Sequence, residues 1–478
     1  MIADFVIVGA GSAGCVLAAR LAADGQRSVV LVEAGPDGST PAVDSVDFFA
    51  ALADPGRTWP GLLVRRTAAQ EPVAYRRGRG LGGSSAVNAL VALPGVRADY
   101  AGWPPGWDAD SIGGWFAAAR AGTTPLRFVD ASPEAFVPFE RALVDALEER
   151  GLGRVDPWMS DGDGWFAATW TVRLEPDRRL RRWSAADAYV TPARDRLTIV
   201  ADAPAATVRL AGGARAAGVV LADGQRIDAG EVIVAAGAIH SPLLLAASGV
   251  ERPALGHRLK DHAAGALFVQ LAGLSSTPSA PRPHAALLAR RSSGEVPGDL
   301  QLLVLLPGGS LPDAAGTAIV MVSLMHVASH GVVAADGIEQ RMLSDVGDRR
   351  RLRVGVRALV ALLGDERLRA HVAGAYCDDQ GTPAAHLATL DDDALDTWML
   401  AHLGDYVHVA GSCAMGTGDD AVVDTECRVI GIDGLRVCDA SVMPDLPRAN
   451  THLTTWALAE LLAVRLIDGR ARDDGRHG

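Results

Sequence analysis

Gly9, Gly11 and Gly14 follow directly on the apolar run Phe5 to Val8, and the stretch after them has the periodicity of a helix. Glycines at this spacing between a strand and a helix form a turn that binds a dinucleotide. Gly9 permits the sharp turn, Gly11 lets the backbone approach a pyrophosphate, and Gly14 lets the helix pack closely on the strand. The diphosphate would rest on the N–H groups at the helix start, around Ser12 and Ala13, where the helix dipole favours an anion. Glu33 ends the next apolar run, Val29 to Val32. A carboxylate there would accept from a ribose 2′-hydroxyl and disfavour a 2′-phosphate. The fingerprint by itself does not separate FAD from NAD.

Two other stretches carry related signals. Gly78, Gly80, Gly82 and Gly83, with Ser84 and Ser85, make a loop whose backbone can approach a flat ring or a phosphate and whose serines can cap a helix. The apolar continuation Ala86 to Leu93 places this loop inside the protein rather than on its surface. At Gly237 an apolar strand breaks and a helix restarts, with Pro242 near its first turn. This is a second strand end that could face a cofactor. His402, His408 and Cys413 have no CxxC or HxxxH spacing to support them, so no metal is expected.

Elements able to position these residues are legible in outline. At 478 residues the chain is expected to hold two domains. Its net charge of −12, from 45 basic and 57 acidic residues, argues against nucleic acid or an anionic membrane as a partner. Five scattered cysteines suit the reduced thiols of a cytoplasmic enzyme. The fingerprint sits at the start of the chain, leaving no room for a targeting segment, and no apolar run has the character of a membrane span. Four β-branched runs between residues 197 and 234 predict a small sheet in the first domain, and residues 263 to 330 predict an antiparallel sheet in the second. Helical periodicity is present at 133–150, 349–363, 390–403 and 454–467, the last with Thr451 or Thr454 as N-cap. Trp158, Trp165, Phe166 and Trp170 gather in a chain that is only 5% aromatic, and they read either as core or as the lining of a pocket.

Four separated segments, 75 to 89, 237 to 249, 405 to 416 and 434 to 460, resemble the glucose-methanol-choline (GMC) oxidoreductases, a family of FAD-dependent alcohol oxidoreductases. RGRGLGGSSAVNA is similar to the family's first signature and GAIHSPLLLAASG to its second. HVAGSCAMG is similar to the segment that holds the catalytic histidine, and GLRVCDASVMPDLPRANTHLTTWALAE to the one that holds its partner. With the element pattern, this implies an α/β fold. A Rossmann-type FAD-binding domain would comprise residues 1–100, 185–262 and 420–470. A substrate domain built on an antiparallel sheet with helices would comprise 101–184 and 263–419, and 471–478 would be a disordered tail.

The resemblance also implies roles. His408 would be the catalytic base and His452 its partner. Gly82, Gly83, Ser84 and Asn88 would lie near the isoalloxazine. Asp439, Ala440, Asn450 and Thr451 would lie against the flavin or its ribityl-phosphate arm, with Gly237 nearby, and the backbone of Val208 would meet the adenine. Val87 stands where some members carry the histidine that attaches FAD, so non-covalent FAD is expected. The implied reaction takes a primary alcohol to an aldehyde: the histidine removes the hydroxyl proton and flavin N5 accepts the hydride. The C-terminal wording is closest to oxidases of aryl and furanyl alcohols, which use oxygen. The compact length also resembles the mycofactocin-associated dehydrogenases, which pass electrons to another redox acceptor. A flavin-binding assembly protein without catalysis is the reading from another class. Departures from the family pattern fall at SGVER, residues 248 to 252, and at LGHRLKDH, residues 255 to 262, which follows almost at once.

Overall fold

Strand Ala3–Val8, with Phe5, Val6 and Ile7 fully buried, has parallel neighbours on both sides, as a continuous apolar run requires. Val29–Val32 lies on one side, with Thr198–Val200 beyond it, and Arg226–Val234 lies on the other. The computed structural model describes residues 2–158, 160–273, 282–307 and 316–474. The four runs predicted as a small sheet of the first domain are strands of this larger sheet: Thr198–Val200 joins it beside Val29–Val32, and Ala205–Ala211 and Arg215–Leu221 join it through Arg226–Val234. That strand is long enough to divide its pairing. Its first part is antiparallel to Arg215–Leu221, and its last part is parallel to Ala3–Val8 and to Leu435–Val437.

The second sheet is antiparallel, in the order Val372–Tyr376, Ala263–Leu271, Thr317–Leu324, Leu300–Leu305, Ala285–Arg291, Gly164–Ala167. The short strand Gly404–Asp405 pairs with Ala263 and Ala264, and it delivers the chain to His408. Helices Val346–Leu363 and Asp392–His402 are capped by the Asp345 and Asp391 side chains, which accept from backbone N–H groups in the first turn.

Helix Ser12–Leu21 packs against Thr451–Asp474, so the start of the chain meets its end. Arg20 grips the buried Glu460 carboxylate with two bonds of 2.8 Å, and Tyr189 Oη donates to the same group at 2.6 Å, which leaves the buried charge fully paired. The C-terminal helix begins at Thr451, three residues before the predicted start. Thr454 is therefore an interior residue whose hydroxyl meets Tyr100 Oη at 2.8 Å, and it is not a cap. The helix runs on to Asp474, since Ala and Arg are good helix formers. The tail expected to be disordered from 471 is thus helical through 474, and 475–478 lie outside the described residues.

The tryptophan cluster is core. Trp165, Phe166 and Trp170 are buried, Trp165 Nε1 donates to Glu148 and Trp170 Nε1 to the Ala285 carbonyl, and none of them borders the main cavity. Among the described residues no helix is long and apolar enough to cross a membrane.

Candidate active site

A cavity of about 580 Å³ is bordered by residues of both sheets and of the C-terminal helix. At one end it is lined by backbone. Gly9 has φ +102°, and a Cβ on it would come within 2.5 Å of the Ala235 carbonyl oxygen. A Cβ on Gly14 would lie 1.9 Å from the Gly9 oxygen, so Gly14 lets the helix touch the turn and stands behind the cavity wall. Gly11 is different: a Cβ there would meet nothing within 4 Å and would project into the cavity. Gly83 nearly touches it from the other wall, where a Cβ would come within 2.6 Å of the Gly11 Cα. Helix Ser12–Leu21 has Gly11 at its N-cap and no side-chain cap, which leaves its first N–H groups for an anion. This cradle fits a dinucleotide.

Glu33 borders the same end. Its Oε1 accepts from Gly35 and Gly80 N–H at 2.9 and 2.8 Å, and its Oε2 accepts from Ala10 N–H at 2.7 Å. The carboxylate therefore ties three segments of the wall together, with capacity left on Oε2 for one hydroxyl. Asp439 has a similar part, accepting from Gly237 N–H at 2.8 Å, Ser241 Oγ at 2.5 Å and Ser441 N–H at 2.7 Å.

At the other end the lining is side chains. His408 is buried on the cavity wall, directly after Val407, a β-branched residue held at φ +60°. Arg77 Nη1 donates to the Val407 carbonyl at 2.6 Å, and Asp261 accepts the His408 N–H at 2.8 Å. His408 Nε2 lies 3.2 Å from Asn450 Nδ2, and its Nδ1 lies 3.0 Å from His262 Nδ1, with the two rings nearly perpendicular. The Tyr406 ring packs 4.7 Å away. Burial, then His262 and Arg77, holds His408 well below the ordinary imidazole range, so it is a neutral base at neutral pH. Burial likewise lowers His262 to about 3 and His452 to about 4, and burial together with Arg77 lowers His240 to about 4. Phe48, Leu52, Leu303, Leu305 and Met321 give this end apolar walls.

The structure thus brings His408 and His452 to the wall of one cavity. Asn450 takes the place at His408 Nε2. Two residues further along, in the first turn of the C-terminal helix, His452 turns Nδ1 to Ser12 Oγ at 3.0 Å. Its Nε2 and the Asn450 Oδ1 are buried without a protein partner. Ser12, Ala13, Ser84, Asn88, Gly237, Ala440 and Thr451 all border the cavity. Gly82 does not: its N–H is spent on the Ala10 carbonyl, so it supports the wall from behind. Val208 does not either. An irregularity between Ala205 and Thr207 shifts the register, Val208 N–H goes to Ser248 Oγ at 2.7 Å, and Ala203 to Ala206 form the wall instead.

Asp261, His262, Tyr406 and Arg77 went unpredicted as site residues. The adjacent Asp–His pair in LGHRLKDH was the available signal. Asp261 gathers the N–H groups of His262 and His408, the Tyr75 hydroxyl and the Gln340 amide, each at 2.8 to 3.0 Å. Its carboxyl is raised by burial and then by Asp405.

Models of the GMC oxidoreductase family match residues 3–264 and 326–459. A 5-(hydroxymethyl)furfural oxidase of Methylovorus sp. (strain MP688) is 30% identical over 97% of this chain and 98% of its own. Pyridoxine 4-oxidase of Microbacterium luteolum is 28% identical over 96% of this chain and 98% of its own. The crystal structure of pyridoxine 4-oxidase from Mesorbium loti superposes with a TM-score of 0.85 at 26% identity, covering 97% of this chain and 99% of that one.

Proposed function

The chain belongs to the GMC oxidoreductase family, and from that premise we propose that it oxidises the hydroxymethyl group of a primary alcohol to an aldehyde with FAD as cofactor. The observation that carries this reading is the meeting of His408 Nε2 and Asn450 Nδ2 on the wall of a cavity whose far end is a dinucleotide cradle. Gly11, Ser12, Gly83 and Glu33 would hold the ADP half, and Ser84, Asn88, Ala440 and His452 would surround the flavin half. When bound, FAD accepts the hydride that leaves the alcohol carbon. Val87, on the cavity wall, offers only hydrocarbon, which supports a non-covalent cofactor.

The chain's own residues supply the proton chemistry. Neutral His408 takes the hydroxyl proton on Nε2, and the Asn450 amide donates to the alcohol oxygen and fixes its direction. Asp439 and Glu33 accept from backbone N–H groups of several wall segments, and so hold the walls in place. Phe48, Leu52, Leu305 and Met321 exclude water and suit a flat ring that carries the hydroxymethyl group. Hydroxymethylfurfural and pyridoxine, named for two relatives, head the list of alcohols to try.

Purified protein should be yellow, and a primary aryl or furanyl alcohol should bleach it under anaerobic conditions. A yellow protein that no alcohol bleaches would support the non-catalytic flavin-binding reading instead. Oxygen uptake measured against dye reduction assigns the electron acceptor.

A further inference from the structure

We propose that His262 is a positioning residue that fixes the tautomer of His408, accepting its Nδ1 proton so that Nε2 faces the cavity as a base. This rests on the reading of His408 as the proton acceptor.

The argument is one of donors and acceptors. Two imidazole Nδ1 atoms 3.0 Å apart form a hydrogen bond only if one carries a proton and the other does not. At the opposite nitrogen of His408 the neighbour is the Asn450 amide Nδ2, which can only donate. Nε2 is therefore the acceptor, and the single proton of neutral His408 sits on Nδ1. The direction follows: His408 Nδ1–H donates, His262 Nδ1 accepts, and the His262 proton sits on its Nε2. That Nε2 is buried and makes no hydrogen bond in the structure, and the polar backbone groups that act on the ring are those of Met325 and Pro447.

The pair is held from below by one carboxylate. Asp261 Oδ1 accepts both the His262 and the His408 backbone N–H at 2.8 Å, so the two ring stems share an anchor although they lie 146 residues apart. A histidine base is commonly oriented by a carboxylate on its second nitrogen. Here a neutral ring occupies that place, and the carboxylate acts one step back, on the main chain. When a substrate O–H bond breaks and its proton settles on Nε2, the Nδ1–H bond to His262 remains in place, and the imidazolium keeps a buried acceptor.

The experiment compares His262→Phe, which keeps a ring but has no acceptor, with His262→Asn, whose Oδ1 lies where Nδ1 was. In the holoenzyme, H262F should reduce flavin about 100-fold more slowly with the substrate dissociation constant little changed, the scale expected of a misdirected base. H262N should stay within about 10-fold of the parent. Independently of turnover, protein labelled with 15N-histidine should show His408 Nδ1 protonated and Nε2 bare in the parent and in H262N, and a mixture of tautomers in H262F. The His408 signals are identified by their loss in His408→Asn. Parent-like rates in H262F, or equal impairment of H262N and H262F, would overturn the proposal and leave His262 a packing residue. If H262F loses FAD, His262→Gln replaces it, since its longer side chain carries the acceptor past the Nδ1 position. Equal rates in H262N and H262Q would then be the contrary result. If no alcohol bleaches the parent enzyme, the functional reading fails, and the labelled spectra still decide the tautomer.

Discussion

The two ends of the cavity are made of different material. At the cradle end the surface is main chain: Gly9, Gly11 and Gly83 bring backbone to backbone, and Glu33 and Asp439 spend themselves on N–H groups. At the reaction end the surface is side chains from three distant segments, around 77, 408 and 450, with His262 hydrogen-bonded to His408 from behind the wall. Main chain can hold a large cofactor whatever substrate the enzyme accepts, whereas side chains are needed where a proton must move. Substitutions should therefore separate binding from chemistry according to the end they touch.

The largest separation is expected at His408. His408→Ala should slow alcohol-driven flavin reduction by about 10³-fold while the protein remains yellow. Stopped-flow reduction set beside the absorption spectrum checks both halves of that statement. Next in size is the contrast between two residues at the start of the C-terminal helix, Asn450 just before it and His452 in its first turn. Asn450→Ala should cost about 100-fold in the reduction rate, and His452→Ala, which frees Ser12, should mainly weaken FAD retention on dialysis. A larger rate loss in H452A than in N450A would instead make His452 the partner of His408.

At the cradle, two glycines three positions apart should fail in different ways. Gly14→Val drives its Cβ into the Gly9 carbonyl, so little folded protein should be recovered. Gly11→Val meets no protein atom within 4 Å and should fold with an apoprotein melting temperature close to the parent's, yet not bind FAD. Thermal unfolding with and without added FAD distinguishes them. Glu33→Gln puts an amide donor where three N–H groups point, and should cost about 1–3 kcal/mol of stability in denaturant titration.

The smallest effect is expected with pH. His408 is held low by burial, His262 and Arg77, so kcat/KM should stay level through the ordinary imidazole range and fall only at more acid pH. Stability moves earlier. His240, His262 and His452 are neutral in the folded chain down to about 4, 3 and 4, while their unfolded counterparts protonate from about 6.5. The unfolded state thus binds more protons below 6.5, and the melting temperature should decline as pH falls from there toward 4. Asp261, raised by burial, acts in the opposite sense and loses its contribution as pH rises. A melting temperature that is flat from 6.5 to 4 would contradict the buried neutral histidines.

What could be read in advance follows the same division. Gly9, Gly11, Gly14 and Glu33 lie within one strand–helix–strand unit, where spacing along the chain is spacing in space. The 237 turn was legible as a strand broken at glycine, whereas His408 was found through wording shared with a family. ANTH offers two polar candidates beside His408, Asn450 and His452, and both border the cavity; that Asn450 Nδ2 meets His408 Nε2 was not legible in the sequence, because it depends on where the helix starts. The strand irregularity that puts Ala203 to Ala206, and not Val208, on the cavity wall is likewise invisible in the sequence. The Asp261–His262 pair stood in view, but its contact with His408 depends on the register of Gly404–Asp405 against Ala263–Ala264, a pairing that no local pattern records.

The contact of Ser12 with His452 spans 440 positions of sequence, as does that of Arg20 with Glu460. This bears on biosynthesis. At about 5–20 residues per second on the ribosome, the glycine turn emerges tens of seconds before the helix that closes over it. During that interval the turn and the apolar face of its helix have no partner, and a cofactor bound there would be held by one wall only. Loading with FAD is therefore a late event, after release of the C-terminal helix, and truncations from that end should leave a chain unable to retain FAD even with its fingerprint intact.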